Sequence, residues 1–250
     1  MTGILYLVPN TLVPPELADD ALLASSIPIE VQRRTASLDY FIAENAKTTR
    51  AFLKLVNRQT PLSHPLQSIL INELNVNTPA TALAALLEPL LGGRNAGLIS
   101  EAGAPAVADP GADLVRLAHV HGVPVQPLVG PSSILLAVMA SGLSGQSFAF
   151  NGYLPIDGAQ RQKRIKVLEE RSRQEQQTQL FIETPYRNQA CLEALVSNCA
   201  ASTLICVATN LSAASERIET RTAAQWKTVI GSSRQQEIHK QPTVFLLLAN

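Results

Sequence analysis

The chain has 250 residues, of which 46% are hydrophobic and 16% are charged, and these proportions exclude a disordered or fibrous protein. Its 20 basic residues balance 20 acidic residues, so no overall field draws it towards nucleic acid or membrane, and any polyanion must be bound by a local basic patch. The three cysteines, at positions 191, 199 and 206, match no zinc-site spacing and argue against a disulfide framework, so neither a metal nor a disulfide is expected.

The first half of the chain alternates short apolar runs with amphipathic segments, which is typical of parallel α/β layers. Five strands are predicted, at residues 3–9, 38–44, 68–74, 96–100 and 123–129. Three helices are predicted after the second, third and fourth strands, at residues 45–57, 77–93 and 112–122. Asn45 and Thr78 are the expected N-caps, and Gly92 and Gly122 the expected ends of the second and third helices.

The second half begins with a helix that Pro131 can start and Gly142 can end. Strands and helices then follow without strict alternation, at residues 148–154, 161–173 (a long basic helix), 178–184, 186–198, 203–209, 216–222, near 226, and 243–249. Strands that follow one another without a crossover helix indicate a mixed sheet. The predicted fold is therefore two α/β domains, residues 1–129 with a mostly parallel sheet and residues 130–250 with a mixed sheet.

The loop within "GLISEAGAPAVADPGADLVRLA", Gly97 to Ala118, consists almost entirely of small residues and two acids. It has no lysine for a P-loop, and Gly103 and Gly111 stand too far apart for a dinucleotide fingerprint. Glu101 and Asp109 would repel a polyphosphate, whereas a cationic ligand such as S-adenosylmethionine fits this charge. The alternative is structural: Asp109 simply caps the following helix in a turn.

Several stretches, taken in order, resemble one known family. "GLISEAGAPAVADPGADLV", "VQPLVGPSSILLAVMASGL" and "FNGYLP" resemble motifs of the tetrapyrrole-methylase superfamily, and within it the ribosomal-RNA small-subunit methyltransferase I family. "FIAENAKTTRAFL", "LFIETPYR" and "ATNLSAASERIETRTAAQW" extend the likeness from about residue 38 to the C-terminus.

This resemblance implies two α/β domains with S-adenosylmethionine in a cleft between them, usually in a homodimer. It also implies methyl transfer to the 2′-hydroxyl of a cytidine ribose in ribosomal RNA. The cofactor-binding residues that it implies are Pro9, Ser100, Glu101, Gly103, Val107, Ser132, Ser133, Ile182 and Leu211. The substrate-side candidates are Glu44, Arg50 and Arg187.

The chain departs from the family pattern mainly on the substrate side. Its first loop, "VPNTLVPPELADD", lacks the family's glycine, and Asn45, Tyr186 and Asn210 replace an Asp, a His and a Glu. Two alternatives therefore stay open. One is a methyltransferase of the same superfamily that acts on a small molecule such as a tetrapyrrole, or on a protein. The other is a protein that binds the cofactor without turnover.

Three carboxylates, Glu44, Glu101 and Glu183, could accept the proton of a ribose hydroxyl. The alternative is that Glu44 and Glu183 cap helices and that Glu101 orients the cofactor, so no catalytic residue is assigned.

Basic residues cluster in two places that could contact RNA phosphates. One is the helix at 161–173, and the other is the set of Arg33, Arg34, Lys47, Arg50, Lys54 and Arg58. The alternative for both is a solvated helix face. The N-terminus shows no targeting signal, and the apolar run at 134–140 is far too short for a membrane helix. A cytoplasmic location without membrane attachment is therefore expected.

Overall fold

The computed structural model describes residues 1–230 and 238–249. It divides into two compact units, Met1–Ser132 and Ser133–Asn250. The first unit contains a five-stranded sheet in the order β3-β2-β4-β1-β5, and all of its strand pairs are parallel. This confirms the predicted parallel sheet of about five strands. Its elements are β1 (Leu5–Leu7), α1 (Asp20–Ser26), α2 (Ile29–Ala36), β2 (Tyr40–Ala43), α3 (Ala46–Gln59), β3 (Leu70–Glu73), α4 (Leu83–Leu91), β4 (Ala96–Ile99), α5 (Gly111–Val120) and β5 (Val125–Pro127).

The two faces of this sheet carry different helices. Tyr6 and Phe41 belong to a core cluster with residues of α1, α2 and α3. Their strand neighbours Leu5 and Ile42 belong to a second cluster with residues of α4 and α5. Successive side chains of a strand point to opposite faces. The chain therefore leaves β1 towards one face of the sheet and leaves β4 towards the other.

The helix boundaries test the predicted caps. Asn45 caps α3 as predicted, because its side-chain oxygen accepts the amide of Lys47 at 2.9 Å. The predicted cap at Thr78 is wrong: its hydroxyl accepts the Asn75 amide at 3.0 Å in a local turn, and α4 begins only at Leu83. Gly92 ends α4 as predicted.

Helices α1 and α2 lie between the first two strands, where no helix is predicted from the sequence. Both are short, with seven and eight residues, and Pro28 separates them. Asp19 caps the first, accepting the amide of Leu22 at 2.8 Å. Segments this short carry too few apolar positions for a clear helical period.

The second unit contains a mixed five-stranded sheet, as predicted, in the order β6-β7-β10-β8-β9. Its β6–β7 pair is parallel, and its other three pairs are antiparallel. The helices α7, α8 and α9 share a core cluster with this sheet, in which Phe181 and Phe245 stack at 5.9 Å between ring centroids. The elements are α6 (Ser133–Ser141), β6 (Phe148–Tyr153), α7 (Gly158–Glu175), β7 (Thr178–Ile182), α8 (Asn188–Asn198), β8 (Leu204–Thr209), β9 (Arg217–Thr222), α9 (Ala223–Lys227) and β10 (Thr243–Leu248).

The three cysteines are free thiols, with Cys191 and Cys206 buried and Cys199 half-buried. Burial raises the pKa of Cys199 to about 12 and also raises the pKa values of Cys191 and Cys206. The described residues contain no group of three or more His, Cys, Asp or Glu side chains placed to hold a metal ion. Within residues 1–230 and 238–249, none of the helices has both the length and the apolar content to span a bilayer.

A substitution at Gly130 tests the packing of the segment after β5 on the segment after β1. A Cβ atom at Gly130 would lie 2.2 Å from the Cβ of Pro9. We therefore expect Gly130→Ala to lower the free energy of unfolding in urea by about 1–3 kcal/mol, because the ring of Pro9 has to move. Gly158→Ala is the matched control, since a Cβ there meets nothing within 4 Å. Equal stability of the two variants would contradict the packing described.

Candidate active site at the carboxyl ends of the parallel strands

The carboxyl ends of β1 and β4 form the natural ligand crevice of the first unit. These strands are neighbours, with Leu7 paired to Leu98, and their following connections run to opposite faces of the sheet. In open α/β sheets, ligands bind where neighbouring strands send their connections to opposite faces. The loop after β4 is the acidic, small-residue loop that the sequence singled out.

Asn10 joins the loops that follow β1 and β4. Its side chain is fully buried, and its Nδ2 donates to the carbonyl oxygens of Ser100 and Glu101 at 3.1 and 3.0 Å. Its main chain pairs with Gly103: the Asn10 amide donates to the Gly103 carbonyl at 2.9 Å, and the Gly103 amide donates back at 3.2 Å. Asn10 therefore fixes the position of one loop on the other.

Sequence reasoning missed Asn10, because the first loop was described only by the glycine that it lacks. The signal was present in the chain: an uncharged amide residue directly follows an apolar strand and Pro9. An amide side chain there can pair main-chain groups that no strand satisfies.

Glu101 is exposed, yet both its main chain and its side chain are held by residues at the end of β2. The Glu101 amide donates to Glu44 Oε2 at 3.0 Å, and Asn45 Nδ2 donates to Glu101 Oε1 at 2.9 Å. The structure thus brings the substrate-side candidate Glu44 to the predicted cofactor residue Glu101.

Glu44 does not cap the following helix, so that alternative is wrong. Glu44 instead accepts the Glu101 amide in the loop after β4, and Asn45 occupies the cap position of α3. A residue that the sequence did not single out, Glu73 at the end of β3, accepts the Ala46 amide at 3.0 Å. Carboxylates from three strand ends therefore line the same edge of the sheet.

The loop after β4 contains three residues with left-handed backbone, Gly103, Ala106 and Ala108, with φ values of 67°, 64° and 65°. Alanine adopts this conformation rarely and at a cost of roughly 1–3 kcal/mol. Asp109 stabilises it, because its two carboxylate oxygens accept the amides of Ala106 and Gly111 at 2.9 and 2.7 Å. Asp109 thus binds the first amide of α5, as the structural alternative expects, although Pro110 occupies the N-cap position.

The Asp109 carboxyl is partly buried, which disfavours its charged form, and main-chain hydrogen bonds favour that form. Burial raises its pKa above the ordinary value, and hydrogen bonds from the amides of Gly111, Ala106 and Val107 oppose that rise. A raised pKa in the folded state means that folding favours the protonated form. The contribution of Asp109 to the free energy of unfolding therefore falls as pH rises through the interval between its ordinary and raised pKa values.

The other predicted residues of the first unit have distinct surroundings. Pro9 is buried against Gly130, and Ser100 is also buried and donates its hydroxyl to the Ala102 carbonyl at 3.2 Å. Val107 is 48% exposed, and Ser132 is half-buried. Asn10 contacts Ser100, Glu101 and Gly103 and so fixes this part of the loop on the loop after β1.

The remaining predicted residues belong to the second unit. Ser133 begins α6, Ile182 ends β7, and Leu211 follows β8. Leu211 is buried, and its two neighbours in the chain, Asn210 and Ser212, have left-handed backbone.

Arg187 forms an ion pair with Glu183, with its Nη2 at 2.6 Å from Glu183 Oε1. The same oxygen accepts the Thr184 amide at 2.6 Å, so Glu183 fixes the short turn that precedes α8. Its alternative as a helix cap is not borne out, because Arg187 holds the N-cap position of α8. Glu183 Oε2 is buried and has no hydrogen-bond partner among the described atoms.

A cavity of about 450 Å³ lies within the second unit, and Asn210, the chain neighbour of the predicted cofactor residue Leu211, is among its lining residues. Among the described residues, its walls come from α8, β8, β9 and α9, including Leu192, Val207, Glu219 and Trp226. Much of its lining belongs to the stretch "ATNLSAASERIETRTAAQW", which the sequence analysis singled out, including Thr209, Asn210 and Ser215.

Comparison with known proteins relates most of the chain to one family. The family model described as tetrapyrrole (corrin/porphyrin) methylases matches residues 24–226. The ribosomal RNA small subunit methyltransferase I of Mesorhizobium japonicum is 33% identical over 76% of this chain and 63% of that protein. The proteins of the same name from Xylella fastidiosa and Bacillus subtilis are 29% and 32% identical, over 78% and 77% of this chain. This chain covers 66% and 59% of their lengths, so it spans less than two thirds of these relatives.

Solved structures of similar fold are more distant in sequence. The methyltransferase CobJ has a TM-score of 0.60 at 16% identity, over 100% of this chain and 95% of that chain. Cobalt precorrin-4 methyltransferase CbiF has a TM-score of 0.59 at 14% identity, over 98% and 94%. At these identities the likeness concerns the fold alone, and it agrees with the predicted pair of α/β domains.

Removal of the Asn10 side chain tests its role in the site. We expect Asn10→Ala to lower the free energy of unfolding by about 1–3 kcal/mol, because it leaves the carbonyls of Ser100 and Glu101 without their donor. We also expect faster hydrogen exchange of the Gly103 amide. Asn77→Ala, at an exposed position, is the control and should change neither quantity. Unchanged exchange at Gly103 in Asn10→Ala would show that the two loops are held by other contacts.

Proposed function

The chain belongs to the tetrapyrrole (corrin/porphyrin) methylase family, and we propose that it is an S-adenosylmethionine-dependent methyltransferase that acts on small-subunit ribosomal RNA. The observation that carries this proposal concerns the loop of residues 100–111. This loop contains the family motif, and it lies at the ligand crevice of the parallel sheet. The relatives that bear the name ribosomal RNA small subunit methyltransferase I support the substrate class.

The residues of this loop fit the chemistry of S-adenosylmethionine. That cofactor supplies a methyl group on a positively charged sulfur, together with an amino group and a ribose, and Glu101 and Glu44 place negative charge at the loop. The small side chains and left-handed residues expose main-chain groups that can bind an adenine or a ribose. The fixed loop can bind such a ligand without first having to become ordered.

We propose Pro9, Ser100, Glu101, Gly103, Val107 and Ser132 as the cofactor contacts of the first unit. Ser133, Ile182 and Leu211 are proposed as contacts from the second unit on the motif resemblance alone. Glu101 has its Oε1 engaged by Asn45, so its carboxylate is oriented before any ligand binds. In this position Glu101 would bind a cationic or hydrogen-bond-donating group of the cofactor.

Methyl transfer to a hydroxyl is an in-line displacement, so holding the nucleophile in line with the methyl group lowers the barrier substantially. The hydroxyl must also lose its proton. Glu44 accepts the Glu101 amide and Glu183 pairs with Arg187, and these contacts favour positioning roles for both carboxylates. We propose Glu44, Arg50 and Arg187 as the substrate-side residues, as the motif resemblance implies.

The finer parts of the proposal concern the product and the assembly. We propose that the acceptor is the 2′-hydroxyl of a cytidine ribose, as the motif resemblance implies. A ribosomal RNA substrate would place the protein in the cytoplasm. We also propose a homodimer, which light scattering of the purified protein would test through its mass.

Transfer of labelled methyl groups tests the proposed function. Small ribosomal subunits and total RNA from a strain that lacks this gene are incubated with the protein and methyl-labelled S-adenosylmethionine. We expect label in the small-subunit RNA and one ribose resistant to alkaline cleavage. We expect Glu101→Ala to reduce the rate about 10- to 100-fold, because it removes a charge-assisted contact to the cofactor. Asn77→Ala should keep the wild-type rate.

Other outcomes would reject the RNA proposal. Label that enters a small-molecule or protein fraction instead would indicate a different methyl acceptor. Binding of S-adenosylmethionine, measured by calorimetry, without transfer to any fraction would indicate a cofactor-binding protein without turnover.

A further inference from the structure

The exposed face of α3 carries an uninterrupted row of positive charge. Its members Lys47, Arg50, Lys54 and Arg58 are all exposed, and the helix contains no acidic residue. Spacings of three and four residues place them on one side of the helix, over a length of about 16 Å. The opposite side packs into the core through residues such as Phe52 and Val56. We refer to these four residues as the α3 stripe.

Several arginines on other helices pair with a carboxylate of the same helix. Arg33 pairs with Glu30 on α2, and Arg116 pairs with Asp113 at 2.9 Å on α5. On the basic helix α7, Arg171 pairs with Glu175 at 3.2 Å, and Arg173 pairs with Glu170 at 2.7 Å.

On α3 the positive charges have only each other as neighbours along the helix, because no carboxylate lies on the helix itself. Like charges four residues apart destabilise a helix by about 0.2–0.5 kcal/mol per pair. Arg58 at the end of the helix forms an ion pair with Asp20 of α1 at 3.5 Å, and Arg50 Nη1 lies 3.5 Å from the Ala46 carbonyl on the same helix. An ordinary solvated face would be expected to include carboxylates, so the stripe suits an anionic partner.

The stripe begins beside the candidate active site. Asn45, the N-cap of α3, donates to Glu101 at 2.9 Å, and Lys47 follows two residues later. A polymer bound along the stripe would therefore pass the loop that we propose to bind the methyl donor.

The stripe leads to a cavity of about 340 Å³ near the end of α3. This volume lies within the range of small-ligand sites and could admit one nucleotide. Its lining combines polar with apolar side chains, which suits a base together with its sugar and phosphate. The lining residues are Lys54, Asn57, Leu62, Ser63, His64 and Leu66, with Pro65 between the last two.

We propose that the α3 stripe and this cavity bind a single-stranded segment of ribosomal RNA that flanks the methylated nucleotide. The inference rests on the proposed function for its choice of RNA. An anionic membrane surface fits less well, because interfacial helices expose large apolar residues beside their basic face. On α3, all of whose residues are described, Phe52, Leu53, Leu55 and Val56 are buried.

The salt dependence of RNA binding tests the stripe. Each lysine that contacts a phosphate contributes about 0.7 to the slope of log affinity against log salt concentration for a single strand. We expect Lys47→Ala/Lys54→Ala to reduce the slope for single-stranded poly(rC) by about 1.4 and to weaken binding. Lys47→Arg/Lys54→Arg keeps both charges and should retain the wild-type slope. Arg116→Ala, on α5 at the other face of the sheet, should also retain it.

The outcomes separate this proposal from the proposed function. An unchanged slope in the double alanine variant would overturn the α3 stripe as an RNA site, even if the protein methylates RNA. A reduced slope without any methyl transfer to RNA would support the stripe and reject RNA methylation. Tighter binding to phosphatidylserine vesicles than to poly(rC), lost in the same variant, would also overturn the proposal. Thermal unfolding and calorimetric binding of S-adenosylmethionine should match the wild type in all three variants.

Discussion

The buried amide of Asn10 is the contact on which the candidate site depends. Parallel strands fix one another through main-chain hydrogen bonds, but these bonds end where β1 and β4 end. Beyond that point the two chains diverge to opposite faces of the sheet, and the carbonyls of Ser100 and Glu101 need donors. A buried carbonyl without a donor costs about 1–3 kcal/mol. The Asn10 side chain supplies the donor to both carbonyls and so joins the loops that follow β1 and β4.

The loop after β4 illustrates how local strain is maintained by charge. Ala106 and Ala108 adopt left-handed backbone, and Asp109 holds the turn although its carboxyl is partly desolvated. The backbone conformation of this loop is therefore fixed before a ligand binds. The exposed carboxylate of Glu101 is likewise oriented by Asn45, and the Glu101 amide is bound by Glu44; both residues directly follow β2. Negative charge at the crevice and positive charge along α3 thus lie on the same unit, where they suit a cationic donor and an anionic polymer.

Much of the architecture could be predicted from the sequence, because the spacing of apolar residues shows which side of a strand or helix is buried. The parallel and mixed sheets and the cap at Asn45 follow from short-range patterns. Thr78 failed as a cap because its hydroxyl found a nearer amide at Asn75, a competition that the residue type does not reveal. The position of Asn10 after an apolar strand was a usable signal, but the partners of Asn10 and Glu73 could not be assigned, since they lie 90 and 27 residues away. Motif resemblance identified the loop, and only the structure gave the contacts that hold it.

The central claim is that the methyl donor binds at the loop of residues 100–111. Ultraviolet crosslinking of methyl-labelled S-adenosylmethionine to the wild-type protein, followed by mass spectrometry of the labelled peptide, tests it most directly. The account predicts a crosslink within residues 97–118 that excess unlabelled cofactor abolishes. A crosslink confined to the residues that line the 450 Å³ cavity of the second unit, such as Leu192 or Trp226, would contradict it.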